Sequence, residues 1–128
     1  LLRAFLGETP FVLTGPPAWN ALGLGATAVH ADTLVYNTKR SGRFSFGDRQ
    51  FLLRRVAFPE APTPEWFVVD LFENAEQAAA APEQLQGALE GALREARFDR
   101  ALLASMAVRF GSRRTQALVN QALEATVP

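Results

Sequence analysis

The sequence predicts an α+β fold, with a small antiparallel β-sheet in the N-terminal half packed against a C-terminal cluster of about four helices. Two observations carry this prediction. Apolar and β-branched residues recur with a period of two before residue 56, whereas apolar residues recur with a helical period after residue 63. The composition is that of a folded chain, because 48% of the 128 residues are hydrophobic and 20% are charged. This length fits a single α+β domain, which we assign to residues 1–128.

The N-terminal segment predicts a helix, a strand and a second, short helix. Residues 1–6 resemble the end of a helix, and residues 11–14 form a short apolar run of the kind found in buried strands. Thr14 is expected to cap the short helix, which should end at Gly23. Trp19 and Leu22 would then share its inner face.

A β-hairpin is the clearest local signal in the sequence. The pair Gly47-Asp48 separates two strand-like runs, and glycine readily supplies the positive φ of a tight turn. Residues 43–46 should therefore pair antiparallel with residues 49–56. Residues 33–36 are β-formers and predict a preceding strand, whereas three prolines in residues 58–64 predict a connection.

Four helices are predicted in the second half. Thr63 followed by proline is a helix start, and that helix should run towards Ala80 before Pro82 begins the next one. Asp99 and Ser112 are predicted to cap the third and fourth helices, since both precede apolar residues at helical spacing.

The composition also limits the chemistry and the location of the chain. It contains no cysteine, which excludes disulfides and cysteine nucleophiles and favours a reducing compartment, expected to be the cytoplasm. No run approaches the ~20 apolar residues needed to cross a bilayer. The chain begins with Leu1 and its only methionine is Met106, so we expect it to be the C-terminal part of a longer protein.

Charge is unevenly distributed along the chain. Basic and acidic residues number seven and three in residues 1–55, two and nine in residues 56–99, and four and one in residues 100–128, which gives +4, −7 and +3. The uneven distribution indicates either electropositive surfaces around an acidic one or charges that pair across the fold.

Few residues have the pattern of a catalytic site. His30 is the only histidine, so a Ser-His-Asp triad would depend on it and a multi-histidine metal site is excluded. Its neighbours Val29 and Ala31 favour a strand end or a surface position instead. Asp70 and Glu73 lie three apart and would share a helical face, where they could hold a divalent cation or divide acid and base roles. The alternative is that they cap a helix or bridge to an arginine.

Phosphate-binding and nuclease motifs are missing as well. Gly23-Leu24-Gly25 lacks the third glycine of a dinucleotide fingerprint, and no phosphate-loop Gly-Lys-Ser or Gly-Lys-Thr occurs. The only lysine, Lys39, has no acidic neighbour of the kind a restriction-type nuclease requires. We therefore predict no catalytic residue, no metal and no cofactor.

Basic residues are the remaining candidates for a binding site. A patch around the predicted hairpin could track a phosphate backbone or an acidic partner; it comprises Lys39, Arg40, Arg43, Arg49, Arg54 and Arg55. Arg113 and Arg114 occupy the first turn of the last helix, where the helix dipole disfavours cations unless an anion binds there. The alternative is that Glu95, Asp99 or Glu124 supplies this negative charge from within the chain.

Several segments resemble the C-terminal portion of AbiEi-family antitoxins. They are Phe11-Val12-Leu13-Thr14-Gly15-Pro16, Trp19-Asn20-Ala21-Leu22-Gly23-Leu24-Gly25, Tyr36-Asn37 with Lys39-Arg40 and Gly42, Arg49-Gln50-Phe51, Val69-Asp70-Leu71, and the closing stretch at residues 109–115. The resemblance implies an upstream winged-helix DNA-binding domain, which this chain lacks. It also implies a nucleotidyltransferase-like toxin as partner and a role in transcriptional autorepression.

These observations predict a non-enzymatic regulatory or antitoxin domain that binds a partner protein or nucleic acid through a basic β-hairpin. Two alternatives remain open. One is a metal-dependent nuclease or other phosphate-handling enzyme that uses Asp70 and Glu73. The other is a structural domain that forms a homodimer through its last helices.

Overall fold

The computed structural model describes residues 10–25, 33–46, 49–76, 78 and 80–128 of the chain. The strands are β1 (Phe11–Thr14), β2 (Thr33–Asn37), β3 (Gly42–Phe46) and β4 (Arg49–Arg55), and the helices are α1 (Pro16–Ala21), α2 (Pro64–Glu73), α3 (Pro82–Arg94), α4 (Arg100–Phe110) and α5 (Arg113–Ala125). This arrangement confirms the α+β class. The helix predicted at residues 1–6 lies outside the described residues.

The four strands form one sheet in the order β1-β2-β4-β3. The predicted hairpin is confirmed, because β3 pairs antiparallel with β4 in a register that places Phe44 opposite Phe51. β1 and β2 are also antiparallel, but β2 and β4 run parallel, so the sheet is mixed where the sequence predicted only antiparallel pairs. The reason is that β4 inserts between β2 and β3, two strands that a short turn connects. A local turn signal contains no information about such an insertion.

Helix α1 differs from the prediction at its N-terminus. Gly15, with a φ of 108°, occupies the capping position, and no side chain caps the helix. The prediction that Thr14 caps it is wrong, because the Thr14 hydroxyl donates instead to Asp70 on α2. The predicted end is confirmed: Gly23 follows the helix with a φ of 70°, a left-handed conformation that glycine adopts without strain.

The starts of three C-terminal helices agree with the prediction. The side chains of Thr63, Asp99 and Ser112 each accept a hydrogen bond from the backbone N–H three residues later, at 3.3, 2.9 and 3.2 Å. Helix α2 ends earlier than expected, at Glu73. Asn74 follows it, and its side-chain amide donates to the Asp70 carbonyl at 2.8 Å, which provides a local alternative to the helical hydrogen-bond pattern.

The sheet has buried side chains on both faces. Its helix-facing side contributes to the main core, in which Trp19, Trp66, Leu71, Leu89 and Leu103 are all at most 2% exposed. Successive side chains of a strand alternate between the two faces. Side chains on the face opposite the helices form a second cluster of Val35, Phe51 and Leu53, against which Phe11 and Phe44 pack.

No helix in the described part of the chain has both the length and the apolar character required to cross a membrane.

Candidate functional site

A buried carboxylate, Asp70, joins four elements of the fold. Asp70 lies on the inner face of α2 and is 5% exposed. Its Oδ2 accepts hydrogen bonds from Thr14 Oγ1 at the end of β1 (2.6 Å) and from Trp19 Nε1 on α1 (2.9 Å). Its Oδ1 accepts from Tyr36 Oη on β2 (2.6 Å) and from Asn74 Nδ2 after α2 (3.3 Å).

These four donors use the full accepting capacity of Asp70, since a carboxylate has about four lone-pair sites. Burial raises the pKa of the Asp70 carboxyl above its usual 3.8, whereas the hydrogen bonds from Thr14, Tyr36 and Trp19 oppose that shift. Burial and the adjacent Asp70 carboxylate also raise the pKa of the Tyr36 hydroxyl above its usual 10.0. Both groups therefore hold protons more tightly than exposed ones do.

A cleft opens beside this buried group. It has a volume of about 300 Å³ and lies between β4, the C-terminal half of α2 and the end of α4. Its polar lining comprises Tyr36, Arg54, Asp70, Glu73 and Asn74, and its apolar lining comprises Val56, Ala57, Trp66, Val69 and Phe110. The half-buried Arg54 side chain reaches the Asp70 network through one hydrogen bond, from Nη1 to Asn74 Oδ1 at 3.0 Å.

Asn37 organises the turn between β2 and β3. Its Oδ1 accepts from the backbone N–H groups of Lys39 (2.8 Å) and Arg40 (2.6 Å). Its Nδ2 donates to the carbonyls of Val35, Arg40 and Arg54, at 3.3, 3.1 and 3.3 Å. One fully buried side chain therefore ties the turn to two neighbouring strands.

Five of the predicted basic residues gather at one end of the sheet. Lys39 and Arg40 are exposed on the β2-β3 turn, Arg43 is exposed near the start of β3, and Arg54 and Arg55 end β4. Asn37 is the register partner of Arg55, so the turn lies beside the end of β4.

The five residues do not share one face. By strand alternation, Arg43 and Arg54 lie on the face that packs against the helices, whereas Arg55 lies on the opposite face. Arg49 begins β4 at the far end of the strand, roughly 20 Å away at ~3.3 Å per residue, and its side chain lies outside what the structure describes.

Arg113 and Arg114 begin α5 and belong to the helical layer instead. Arg114 forms an exposed ion pair with Glu83 at 3.7 Å. The anion at this helix start is Glu73, whose Oε1 accepts from the Ser112 backbone N–H at 2.7 Å and whose Oε2 accepts from Ser112 Oγ (2.9 Å) and Thr115 Oγ1 (2.7 Å). None of the three acidic residues expected to supply that charge takes this place.

Asp70 and Glu73 have separate partners despite their helical spacing. Asp70 accepts from groups around the sheet, and Glu73 accepts from the start of α5. Within the described ranges, no group of three or more His, Cys, Asp or Glu side chains is placed to hold a metal ion. His30, the other candidate considered from the sequence, lies outside the described residues.

Sequence reasoning missed two asparagines: Asn37, which organises the β2-β3 turn, and Asn74, which links Arg54 to Asp70. Asn37 follows a β-rich run and precedes a polar turn, which is a position where an asparagine side chain commonly hydrogen-bonds to the backbone two residues later. That signal was available. No sequence signal pointed to Asn74, because its partners Tyr36 and Arg54 are distant in sequence.

Neither a protein family model, nor a curated protein, nor a solved structure matches this chain.

Proposed function

We propose that this chain is a non-enzymatic binding domain of a cytoplasmic regulatory protein, and that it docks a polyanionic partner through the basic turn between β2 and β3. The observation that carries the proposal is that the buried Asn37 side chain accepts hydrogen bonds from the backbone N–H groups of the exposed residues Lys39 and Arg40. A preorganised turn loses less conformational entropy on binding than a flexible loop with the same charges.

Charge in the surrounding strands supports the same proposal. Residues 33–46, which include the turn and the two strands that it joins, contain no acidic residue and carry Lys39, Arg40 and Arg43. A surface with one sign of charge attracts polyanions and accelerates their encounter with the protein. The backbone phosphates of nucleic acid and an acidic protein face are both polyanions of this kind.

The resemblance to AbiEi-family antitoxins suggests who the partners are. Under this proposal, an upstream winged helix binds operator DNA, and this domain contributes either further phosphate contacts or contacts to a nucleotidyltransferase-like toxin. The competing nuclease proposal requires Asp70 and Glu73 to bind one metal ion together, but Asp70 accepts its hydrogen bonds from groups around the sheet and Glu73 accepts its own from the start of α5.

The first test measures DNA binding by fluorescence anisotropy at several salt concentrations. Log affinity falls with log salt at a slope of about −0.9 per neutralised phosphate, so replacing two contacting cations should flatten the slope by about two. We expect Lys39→Glu combined with Arg40→Glu to weaken binding of a mixed-sequence duplex about tenfold or more at low salt.

The matched control is Arg94→Glu combined with Arg109→Glu, which changes the net charge equally on exposed helical positions. Its binding should remain close to that of the wild-type chain. A parallel experiment co-expresses each variant with a nucleotidyltransferase-like toxin and measures growth. Equal DNA binding and equal growth for the two double variants would refute the basic turn as the docking site.

A further inference from the structure

Besides the buried Asp70, the cleft contains two opposite charges that do not pair with each other. The nearby Arg54 guanidinium opposes the rise in the pKa of the Asp70 carboxyl. Arg54 lines it from β4 and Glu73 lines it from the end of α2. Both side chains belong to the described part of the chain, and no ion pair joins them there. Opposite charges that face one cleft without meeting leave space for a ligand carrying both complementary charges.

Protein hydrogen bonds hold each of these charges in position. Arg54 Nη1 donates to Asn74 Oδ1, and Asn74 is itself fixed by Tyr36 and Asp70. Glu73 is fixed by Ser112 and by Thr115. Charges held in this way need little reorganisation when a ligand binds, which increases affinity.

Both charged groups keep hydrogen-bonding capacity for a ligand. A guanidinium group has five N–H donors, and the structure shows one hydrogen bond from Arg54, to Asn74, among the described residues. The Glu73 carboxylate accepts three hydrogen bonds of the roughly four that a carboxylate can accept. Asp70 lines the same cleft, but its four protein donors leave it no free site.

The remaining walls are apolar. Trp66, Val69 and Phe110 line the cleft together with Val56 and Ala57. The volume of about 300 Å³ lies at the lower end of the range for small-molecule sites. A ligand for this cleft is therefore small, with one apolar side chain.

We propose that the cleft binds a free α-amino acid with an apolar side chain. Its carboxylate would bind to the Arg54 guanidinium, which suits planar carboxylates, and its ammonium group would bind to Glu73. Its side chain would pack against Val56 and Phe110. The site does not depend on the proposed docking function, because it uses neither Lys39 nor Arg40.

Calorimetry and NMR on the complete 128-residue chain test this site with defined probes. The probes are L-leucine, L-phenylalanine, and two phenylalanine analogues that each lack one charge, 3-phenylpropionate and 2-phenylethylamine. We expect saturable binding of at least one of the two amino acids, and phenylalanine should bind about tenfold more tightly than either analogue. NMR signals of Trp66 and Asn74 should shift on binding.

Two substitutions and one control locate the site. Arg54→Met should weaken amino-acid binding about tenfold or more, and Arg54→Lys should weaken it less, because lysine keeps the charge but loses the bidentate geometry. Arg55→Met removes a neighbouring guanidinium from the opposite face of β4 and should leave affinity unchanged. Circular dichroism checks that each variant is folded.

Three results would overturn the proposal: no saturable binding of either amino acid, equal affinity for phenylalanine and 3-phenylpropionate, or wild-type affinity in Arg54→Met. The Lys39→Glu, Arg40→Glu double variant should retain amino-acid binding. Failure of the docking proposal and failure of this one are therefore distinguishable.

Discussion

Tyr36 and Asp70 form a hydrogen-bonded polar pair in the core. The Tyr36 hydroxyl donates to Asp70 Oδ1 at 2.6 Å and accepts from Asn74 Nδ2 at 3.2 Å. A buried polar group is costly unless it is hydrogen-bonded, and these side chains satisfy one another. Asp70 therefore serves as a shared acceptor that aligns β1, α1 and β2 with α2.

This environment predicts an abnormal titration of Tyr36, which is the only tyrosine of the chain. Its pKa is raised by burial first and by Asp70 second, so the folded chain keeps the phenol proton above pH 10.0, where the unfolded chain loses it. The stability that Tyr36 provides should be complete below pH 10.0 and decrease as the pH rises further. Ultraviolet absorbance should show tyrosinate only together with unfolding.

The Asp70→Asn variant provides the comparison for this titration. Removing the carboxylate charge removes one of the causes that raise the pKa of Tyr36, so tyrosinate should form at lower pH in the variant. Ionisation of Tyr36 near pH 10.0 in the folded wild-type chain would contradict the assigned burial and hydrogen bonding.

Hydrogen bonds join the β2-β3 turn to the end of β4. Asn37 links the turn to the Arg54 carbonyl, and the Arg55 backbone N–H donates to Ser41 Oγ at 3.2 Å. These contacts across the strands explain how a short polar segment on the surface is held in one conformation.

Asn37→Ala should therefore destabilise the domain and weaken binding without changing any charge. Loss of the buried side chain leaves backbone groups of Lys39 and Arg40 without their acceptor, at a cost of about 2 kcal/mol in the free energy of unfolding. Urea denaturation measures this cost, and anisotropy should show several-fold weaker DNA binding.

The control for this variant is Asn120→Ala, at an exposed position on α5. If Asn37→Ala made the turn mobile and still bound DNA with wild-type affinity, DNA binding would not require a rigid turn.

The whole molecule is stabilised by packing between the sheet and the helices. Trp19 and Trp66 contribute to this packing from α1 and α2, and Leu103 and Val119 contribute from α4 and α5. Because one core cluster includes residues from both halves of the chain, sheet and helices should unfold together.

Leu103→Ala tests this cooperativity. Leu103 is fully buried, so the substitution should lower the free energy of unfolding by about 2–5 kcal/mol. Tryptophan fluorescence and far-ultraviolet circular dichroism should report the same unfolding midpoint, shifted equally in the variant. Leu13→Ala, at a position 48% exposed, should have a much smaller effect. Separate midpoints for the two signals would show that the halves unfold independently.

Elements whose causes are local could be predicted from the sequence alone. Helix caps at Thr63, Asp99 and Ser112 depend on residues within one turn, and the β3-β4 hairpin depends on neighbouring runs, so both were predictable. The sequence also showed that basic residues are concentrated in residues 39–55.

Features that depend on contacts between distant residues could not be predicted in this way. The parallel pairing of β2 with β4, the role of Thr14 as a donor to Asp70, and the place of Glu73 at the start of α5 all join segments far apart in sequence. Hydrogen-bond partners in a buried network are set by which elements pack together. For that reason the cleft between Arg54 and Glu73 could be found only in the folded molecule.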